Sequence, residues 1–395
     1  MPASNNQLDV LIIGAGITGL SCAYHLKQRG YKKIALLADP CNQSISLRAP
    51  GYALPGMADH FTRLSHGLGQ GSACRVWRFG DDAFTALHDF CDEALPQHTS
   101  NPMTMGQGRR LRVATHKAEL EELRQAQNDM LSHGFDVGLL ERSESESWLG
   151  VPDSVVLEEM AGSYLVDMDH IFKHLGAGQQ IFHAHALRLQ KTSSGTVKVE
   201  AKGASYEALM VVLACHLETQ RLAPDLPEDI LIPYADQWVR VEANLPKALR
   251  DLGVGTFITT DFGYYALCID SLKSVCLIGG RQFRHLAGIG EAEAKWNERS
   301  FTQACKRMSE LFPGITFGKI IVSKAMSGCR PCDDMPLIGP LAGMPQILVA
   351  AGFIGQGLTQ GFYAGACLAS LIDQGSCATL PRDFYPERFR RGHDL

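Results

Sequence analysis

No stretch of this sequence is apolar over the ~20 residues that a membrane-crossing helix needs, so no integral membrane contact is expected. Positive charge is not in excess either. The 37 Lys and Arg against 42 Asp and Glu give a net charge of −5. No basic footprint therefore points to nucleic acid. The first residues, MPASNNQLDV, lack the basic and apolar regions of a secretory signal, which makes the cytoplasm the expected location. There is no internal repeat, no low-complexity linker and no H-E-x-x-H pattern, and no metal site is expected. Cysteine is plentiful, with 12 residues, but they are scattered and mostly in apolar contexts (Cys215, Cys268, Cys276, Cys367). In a chain of this length without a signal they read as reduced, small core residues. The rest is ordinary for a globular protein: 45% hydrophobic, 20% charged and mean hydropathy −0.05. A length of 395 residues is ample for two domains.

The 39 glycines are more informative, because several fall in patterns. Asp9–Ile13 is a short apolar run, as expected of a strand buried on both faces. Gly14-Ala15-Gly16-Ile17-Thr18-Gly19 follows at once, then a predicted helix over Leu20–Arg29 with Gly30 as its stop, then an apolar strand over Lys33–Leu37. This is a βαβ unit with G-x-G-x-x-G at its first turn. Gly14 permits the tight turn, Gly16 lets a pyrophosphate approach the backbone, and Gly19 lets helix and strand pack closely. The helix N-terminus then presents N–H groups and a positive dipole end. Asp39, just after Ala38, is the candidate for the adenosine ribose hydroxyls, which favours FAD or NAD over NADP. The plainer alternative is a strand–turn–helix with no ligand.

Further along, Met57–Leu95 has helical periodicity, Arg109–Ala114 reads as a strand, Lys117–His133 as a polar amphipathic helix, and Glu141–Trp148 as an acidic exposed segment. Gly162–Asp169 reads as a strand leading into a helix at His170–Leu175. Ala184–Gln190 and Thr196–Ala201 form a hairpin signal, and Tyr206–Cys215 is another strand. Pro224–Pro233 is a loop. Gln237–Ala243, Thr256–Thr260, Tyr264–Ile269 and Val275–Gly280 alternate like strands of an antiparallel sheet. A helix over Ala292–Leu311, a strand over Lys319–Met326, a buried strand over Gln346–Ala351 and a helix over Leu358–Ile372 complete the chain. The first and last segments are expected to share one sheet. The predicted division assigns 1–80, 150–225 and 325–395 to a discontinuous nucleotide-binding domain and 81–149 and 226–324 to a substrate domain.

The C-terminal quarter carries the strongest pointer. Ser327–Gly339 reads SGCRPCDDMPLIG, and Gly352-Phe353-Ile354-Gly355-Gln356-Gly357 opens the last helix. This resembles the end of the FAD-dependent amino-acid and amine oxidases, the superfamily of D-amino-acid oxidase, glycine oxidase and sarcosine oxidase. Their late signature is similar: W-x-G-x-R-P…D-x-x-P-x-I-G, then a G-x-x-G-H-G-type turn. Ser46–Gly51 resembles the family's S-G-R-N-x-G loop, Val211–Cys215 its V-V-L-A-A-G strand, Tyr264–Leu267 with Leu277–Gly280 its Y-x-x-P and I-G-G pair, and Phe384–Phe389 its F-x-P-x-R-F ending. The match runs over the whole chain. Some positions depart from it. Cys215-His216 stands for the usual Ala-Gly, Gln356 for a frequent His, Met326 for Trp and Cys268 for Pro, and Arg330–Gly339 is shorter than usual.

The resemblance implies an α/β plus α+β architecture. In it, a Rossmann-like FAD-binding domain of the glutathione-reductase-like family is interleaved with an antiparallel-sheet substrate domain, the flavin ring lying at their seam. It implies FAD contacts at Gly14–Gly19, Asp39, Ser46, Arg48, Ala186, Ala214, Gly328, Gly352, Gly355, Gln356, Gly357, Leu358 and Thr359. It implies substrate contacts at Arg330, whose fork matches a carboxylate bidentately, and at Tyr265, which would donate its hydroxyl to the same carboxylate. The plainer alternatives are a structural ion pair for Arg330 and a packed core ring for Tyr265. The implied reaction oxidises the C–N bond of a small amino acid or secondary amine by hydride transfer to flavin N5, with the imine then hydrolysed; no dedicated base is needed if the amine arrives neutral. A 2-hydroxy acid oxidase or dehydrogenase would use the same grip. A flavin-binding electron-transfer subunit of a hetero-complex is the alternative of another class, and a tRNA-modifying amine oxidase is disfavoured by the charge. The acceptor is O2, a quinone or a protein partner, and the flavin link covalent or not. Cys329-Arg330-Pro331-Cys332 is also a C-x-x-C, a redox pair or half a metal site in one reading and small residues around Arg330 in the other. His183-x-His185 reads as a strand pair on one face, and Arg75 and Arg78 as a solvated helix face.

Overall fold

The computed structural model describes residues 7–40, 44–93, 104–140, 149–150, 154–223, 226–279 and 295–389. Glu141–Trp148, Gly280 and the predicted helix start at Ala292 lie outside them. The chain divides into two compact units: Met1–Leu47, Met168–Pro233 and Cys329–Leu395 form the first, Arg48–Asp167 and Tyr234–Gly328 the second.

The first unit is built on an eight-stranded sheet among the described residues. Its order is Leu337–Pro340, Ile347–Ala351, Ala204–Leu213, Leu8–Ile13, Ile34–Ala38, Ile181–His183. The four pairings inward from Ile347–Ala351 are parallel, and Leu337–Pro340 closes the edge antiparallel. The hairpin Ala186–Lys191/Val197–Ala201 attaches to Ala204–Leu213. Val10, Leu11, Ile12 and Ile13 are all buried, as a strand covered on both faces requires. Leu11, Ile13, Leu37, Val211, Leu213 and Val349 form the core on one face with the hairpin. Each such side chain contributes about 1.5–3 kcal/mol by leaving water.

Among the described residues the second unit carries a nine-stranded sheet: Thr316–Pro331, Leu231–Asn244, Ser274–Gly279, Tyr265–Ser271, Phe257–Thr260, Thr104–Ala114, Val155–Val166, Tyr52–Ala53, with Val137–Leu140 beside Val155–Val166. It is not wholly antiparallel as expected, because Phe257–Thr260 runs parallel to Thr104–Ala114. Leu111, Val113, Val239, Val241, Ile258, Leu267 and Leu277 bury one face with Ala304, Met308 and Leu311 of helix Glu298–Leu311. That helix starts where the Asn297 side chain accepts from the Ser300 N–H at 3.1 Å.

Three expectations are corrected. The segments 48–80 and 150–167 belong with the second unit, not with the nucleotide-binding part. The reason is strand pairing: Tyr52 and Ala53 pair with Leu165 and Tyr164. The helical stretch 57–95 is two helices, Phe61–Leu68 and Gln70–Glu93, divided at Gly69. Helix Ile17–Gln28 begins at Ile17, earlier than expected, so Thr18 and Gly19 lie inside it.

Candidate active site

Strand Leu8–Ile13 delivers the chain into the first glycine turn. Gly14 takes φ +111°, and a Cβ there would stand 2.2 Å from the Ala214 carbonyl oxygen. A Cβ at Gly19 would stand 1.9 Å from the Gly14 carbonyl oxygen, so neither position admits a side chain. Gly16 caps helix Ile17–Gln28 without a side-chain bond, and its Cα faces the hydroxyls of Ser44 and Ser46, which a Cβ would meet at 3.1 and 3.4 Å. Ser46 Oγ accepts from the Ile17 N–H at 3.3 Å, while Ser44 Oγ is buried with no hydrogen-bond partner. A helix N-terminus, a bare backbone at Gly14–Gly16 and an orphan buried hydroxyl thus meet at one spot. That donor set suits an anion such as a pyrophosphate.

The second glycine turn follows strand Ile347–Ala351 and opens helix Thr359–Gln374. Gly352, Ile354 and Gly355 all have positive φ. The Gln356 N–H donates to the Phe353 carbonyl at 2.9 Å, closing the turn. The Gln356 side chain is buried and accepts from Gln360 Nε2, and Thr359 Oγ1 donates to the Gln356 carbonyl at 3.4 Å. These side chains lock the helix start. The two glycine turns are joined through their helices. A Cβ at Gly365 would stand 2.6 Å from the Thr18 carbonyl oxygen and 2.7 Å from the Cys22 nitrogen. Ser21 Oγ donates to the Phe362 carbonyl at 2.6 Å across 341 residues of sequence.

The sequence profile of the FAD dependent oxidoreductase family, DAO, matches residues 9–371 and takes in both glycine turns. The chain belongs to this family. Similar solved structures include glycine oxidase from Geobacillus kaustophilus, with TM-score 0.75 at 17% identity over 97% of this chain and 99% of that one. L-proline dehydrogenase from P. horikoshii has TM-score 0.73 at 14% identity over 98% and 99% of the two chains. Iminodiacetate oxidase from Chelativorans sp. BNC1 has TM-score 0.68 at 16% identity over 96% and 98%. At such identities the likeness is one of fold. No curated protein sequence matches the chain.

The protein is thus an FAD-dependent oxidoreductase, and the first glycine turn fits the cofactor's pyrophosphate through the open helix end and the Ser44 hydroxyl. The remaining expected contacts fall as follows. Ala15 is in the first turn, and Ala214 lies against Gly14. Asp39 directly follows strand Ile34–Ala38, and its Oδ2 is 2.8 Å from His185 Nδ1. His185 also stands 3.4 Å from an Arg221 guanidinium nitrogen. One oxygen of the Asp39 carboxylate is thus engaged by His185. Only His183 of the expected His183/His185 strand pair is in a strand. Ala186 is buried, and its carbonyl accepts from Arg221 at 2.7 Å. Arg48 donates to the Ala325 carbonyl in the second unit. Gly328 lies over the Tyr234 ring, which a Cβ would meet at 2.1 Å.

Arg330 ends strand Thr316–Pro331 beside the second glycine turn, since a Cβ at Gly352 would meet the Pro331 ring at 2.5 Å. Its guanidinium pairs with Asp334, the side chains being 26% and 53% exposed. The short loop behind it is clamped by Arg388, which holds Asp333 at 2.6 and 3.1 Å and the Met335 carbonyl at 2.8 Å. Tyr265 begins its strand in the second unit, and its partly buried ring packs with the core that holds Leu267 and Ile269. Arg330 belongs to the first unit and Tyr265 to the second. Arg78 is not simply solvated, for it donates to the His133 carbonyl at 3.0 Å and lies over Phe135.

Several arrangements escaped the sequence reading. His216 adopts φ +58°, a left-handed conformation that glycine reaches more readily than a residue with a side chain. Its Nδ1 is 3.1 Å from Cys329 Sγ. Burial pushes the Cys329 thiol up to about 12, and Cys332 is raised by burial too, so neither is a ready nucleophile. In the second unit, Arg110, Arg112 and Glu159 form a buried cluster: Glu159 Oε1 is 2.6 Å from Arg112 Nε and 3.6 Å from Arg110 Nε. Burial and then Arg112 push Arg110 down to about 9. The alternation R-x-R in Arg110–Arg112, charged where a strand interior is apolar, was the signal available. His170 and His174 stand four apart on helix Met168–Gly176, yet among the described residues no group of three metal-ligating side chains forms.

Proposed function

We propose that this FAD-dependent oxidoreductase oxidises the C–N bond of a small amino acid or secondary amine that bears a carboxylate. The observation that carries the reading is Arg330. Its strand end lies next to the second glycine turn, where Pro331 packs against Gly352, and its guanidinium pairs with a half-exposed acid, Asp334, whose place a substrate carboxylate can take. The fork of Arg330 binds that carboxylate bidentately and so fixes which face of the substrate Cα is presented. The backbone at Gly355–Gly357 and the positive end of helix Thr359–Gln374 stabilise negative charge that develops beside them. Bound FAD supplies a two-electron acceptor for the hydride. Water then hydrolyses the released imine, and no residue is required as a base when the amine arrives neutral.

The test is anaerobic bleaching of the bound flavin across a panel of amino acids, N-methyl amines and 2-hydroxy acids. Rapid bleaching by amines and amino acids supports the reading. Bleaching by hydroxy acids alone replaces it with oxidation of a C–O bond, and bleaching by none transfers the protein to an electron-carrying role beside a partner. Repeating the reaction with O2 or a soluble quinone identifies the acceptor.

A further inference from the structure

The end of strand Ile34–Ala38 carries a row of side chains that neither the pyrophosphate turn nor the oxidation of substrate uses. Parallel pairing sets Ala38 beside His183, and the Ala184 N–H donates to the Ala38 carbonyl at 3.0 Å. This pairing brings His185 against Asp39 across 146 residues of sequence, with His185 Nδ1 2.8 Å from Asp39 Oδ2. The two side chains are 36% and 20% exposed, so the carboxylate stays within reach of a ligand. His185 Nε2 is 3.4 Å from Arg221 Nη2. Arg221, on helix Glu218–Leu222, spans three successive residues with its fork. Nη2 reaches the His185 ring and donates to the Ala186 carbonyl at 2.7 Å, and Nη1 donates to the Leu187 carbonyl at 2.7 Å. Its Nε donates to the Glu218 carboxylate at 2.7 Å. A guanidinium only donates. The Nε2 that faces it therefore accepts, and the imidazole proton sits on Nδ1, where it is donated to Asp39. All of these residues lie in the first unit.

We propose that His185 and Arg221 are positioning residues for the adenosine of FAD: Arg221 fixes the tautomer of His185, and His185 fixes the Asp39 carboxylate that takes the ribose hydroxyls. The proposal rests on the ribose reading of Asp39 and is independent of the substrate. A carboxylate at a strand end turns about its side-chain bonds, and halting that rotation on binding costs affinity. The bond from His185 halts it beforehand. It occupies one of the roughly four acceptor sites of a carboxylate, so capacity for hydroxyl donors remains. The other tautomer fails at both ends. It would set an Nε2–H against the guanidinium, donor against donor, and turn the Nδ1 lone pair toward the carboxylate. Arg221 thus acts on Asp39 through the ring between them. The same fork holds the carbonyl of Ala186, another expected FAD contact, so one side chain organises two of those contacts. Glu218 in turn holds the fork.

The experiment frees the whole chain of flavin and titrates it, by quenching of flavin fluorescence, with FAD and with an FAD analogue whose adenosine ribose lacks both hydroxyls. Asp39→Ala and His185→Ala should each raise the Kd for FAD about tenfold, the worth of one net hydrogen bond. His185→Asn puts an amide N–H near the Nδ1 position and should recover most of that loss. Arg221→Met leaves Asp39 and His185 in place and should raise the Kd roughly threefold, because only the tautomer is released. NMR of the imidazole nitrogens should show His185 protonated on Nδ1 in the parent and shifted toward the Nε2–H form in Arg221→Met, the His185 signals being those missing from His185→Asn. With the analogue, every variant should bind within about twofold of the parent, since no hydroxyl remains for the carboxylate to hold. An equal loss with both cofactors marks a merely structural role and overturns the proposal. So does a His185→Ala or Asp39→Ala chain that binds FAD like the parent, or a parent whose His185 carries its proton on Nε2. No substrate enters the measurement, so these outcomes are separate from the fate of the C–N reading.

Discussion

Replacing Asp334 by Asn separates a guanidinium held for structure from one held ready for substrate. Arg330 and Asp334 form an i, i+4 pair at the surface end of a strand, 26% and 53% exposed. An exposed pair of this kind is worth at most about 1 kcal/mol. If a substrate carboxylate must displace Asp334, removing the competing charge tightens substrate binding by that amount, roughly fivefold. Asp334→Asn should therefore lower KM for the best substrate up to about fivefold with kcat little changed. Arg330→Lys keeps the charge and loses the fork. Hydrogen bonds to a charged group contribute about 1.5–3 kcal/mol, so its KM should rise roughly 10- to 150-fold. The assay is steady-state kinetics together with anaerobic titration of the flavin spectrum, which gives the substrate Kd directly. A KM for Arg330→Lys within twofold of the parent, or a higher KM for Asp334→Asn, refutes the carboxylate grip and leaves Arg330 as part of a structural ion pair.

Two further outcomes concern stability. Asp81, whose carboxylate accepts from the Gly56 N–H at 2.9 Å, is pushed from 3.8 up to about 8, chiefly by burial and then by Glu159. The folded state therefore keeps a proton that the unfolded chain has lost between those two values, and stability falls as pH rises through that window. Asp81→Asn keeps the acceptor without the charge, so its urea midpoint should change less between pH 5 and pH 8 than the parent's; an equal or steeper fall would contradict the assignment. Gly365→Ala places a Cβ against the Thr18 carbonyl and the Cys22 nitrogen and should destabilise by about 1–3 kcal/mol despite its gain in helix propensity. Gly71→Ala, whose Cβ would meet only the mobile end of Arg75 at 3.7 Å, should not destabilise, and denaturant melts that ranked the two the other way would refute the packing argument.

Local pattern made the two glycine turns legible. An apolar strand, glycines at turn spacing and a helical run are short-range properties, so the sequence sufficed to place Gly14–Gly19 and Gly352–Thr359 on βα connections. The strand alternation of the middle block was legible for the same reason, although the parallel pairing of Phe257–Thr260 with Thr104–Ala114 was not, because pairing partners lie far apart in sequence. Tyr52 shows why the unit boundary was misjudged: nothing local in APGYALPG says that Tyr52 will pair with Leu165.

By itself the sequence determined the dinucleotide turn and the family signature. Each depends on residue type and spacing, which the chain carries wherever it goes. Only the tertiary structure decided that the helices behind the two glycine turns pack at Thr18 and Gly365, and that Asp39 shares its carboxylate with His185. It likewise decided that Arg330 is paired with Asp334 and that the Cys377 sulfur lies 3.5 Å from the Thr379 hydroxyl. The physical reason is that hydrogen bonds and close contacts act over a few ångströms in space. Which residues come within that reach is settled by the packing of the whole chain.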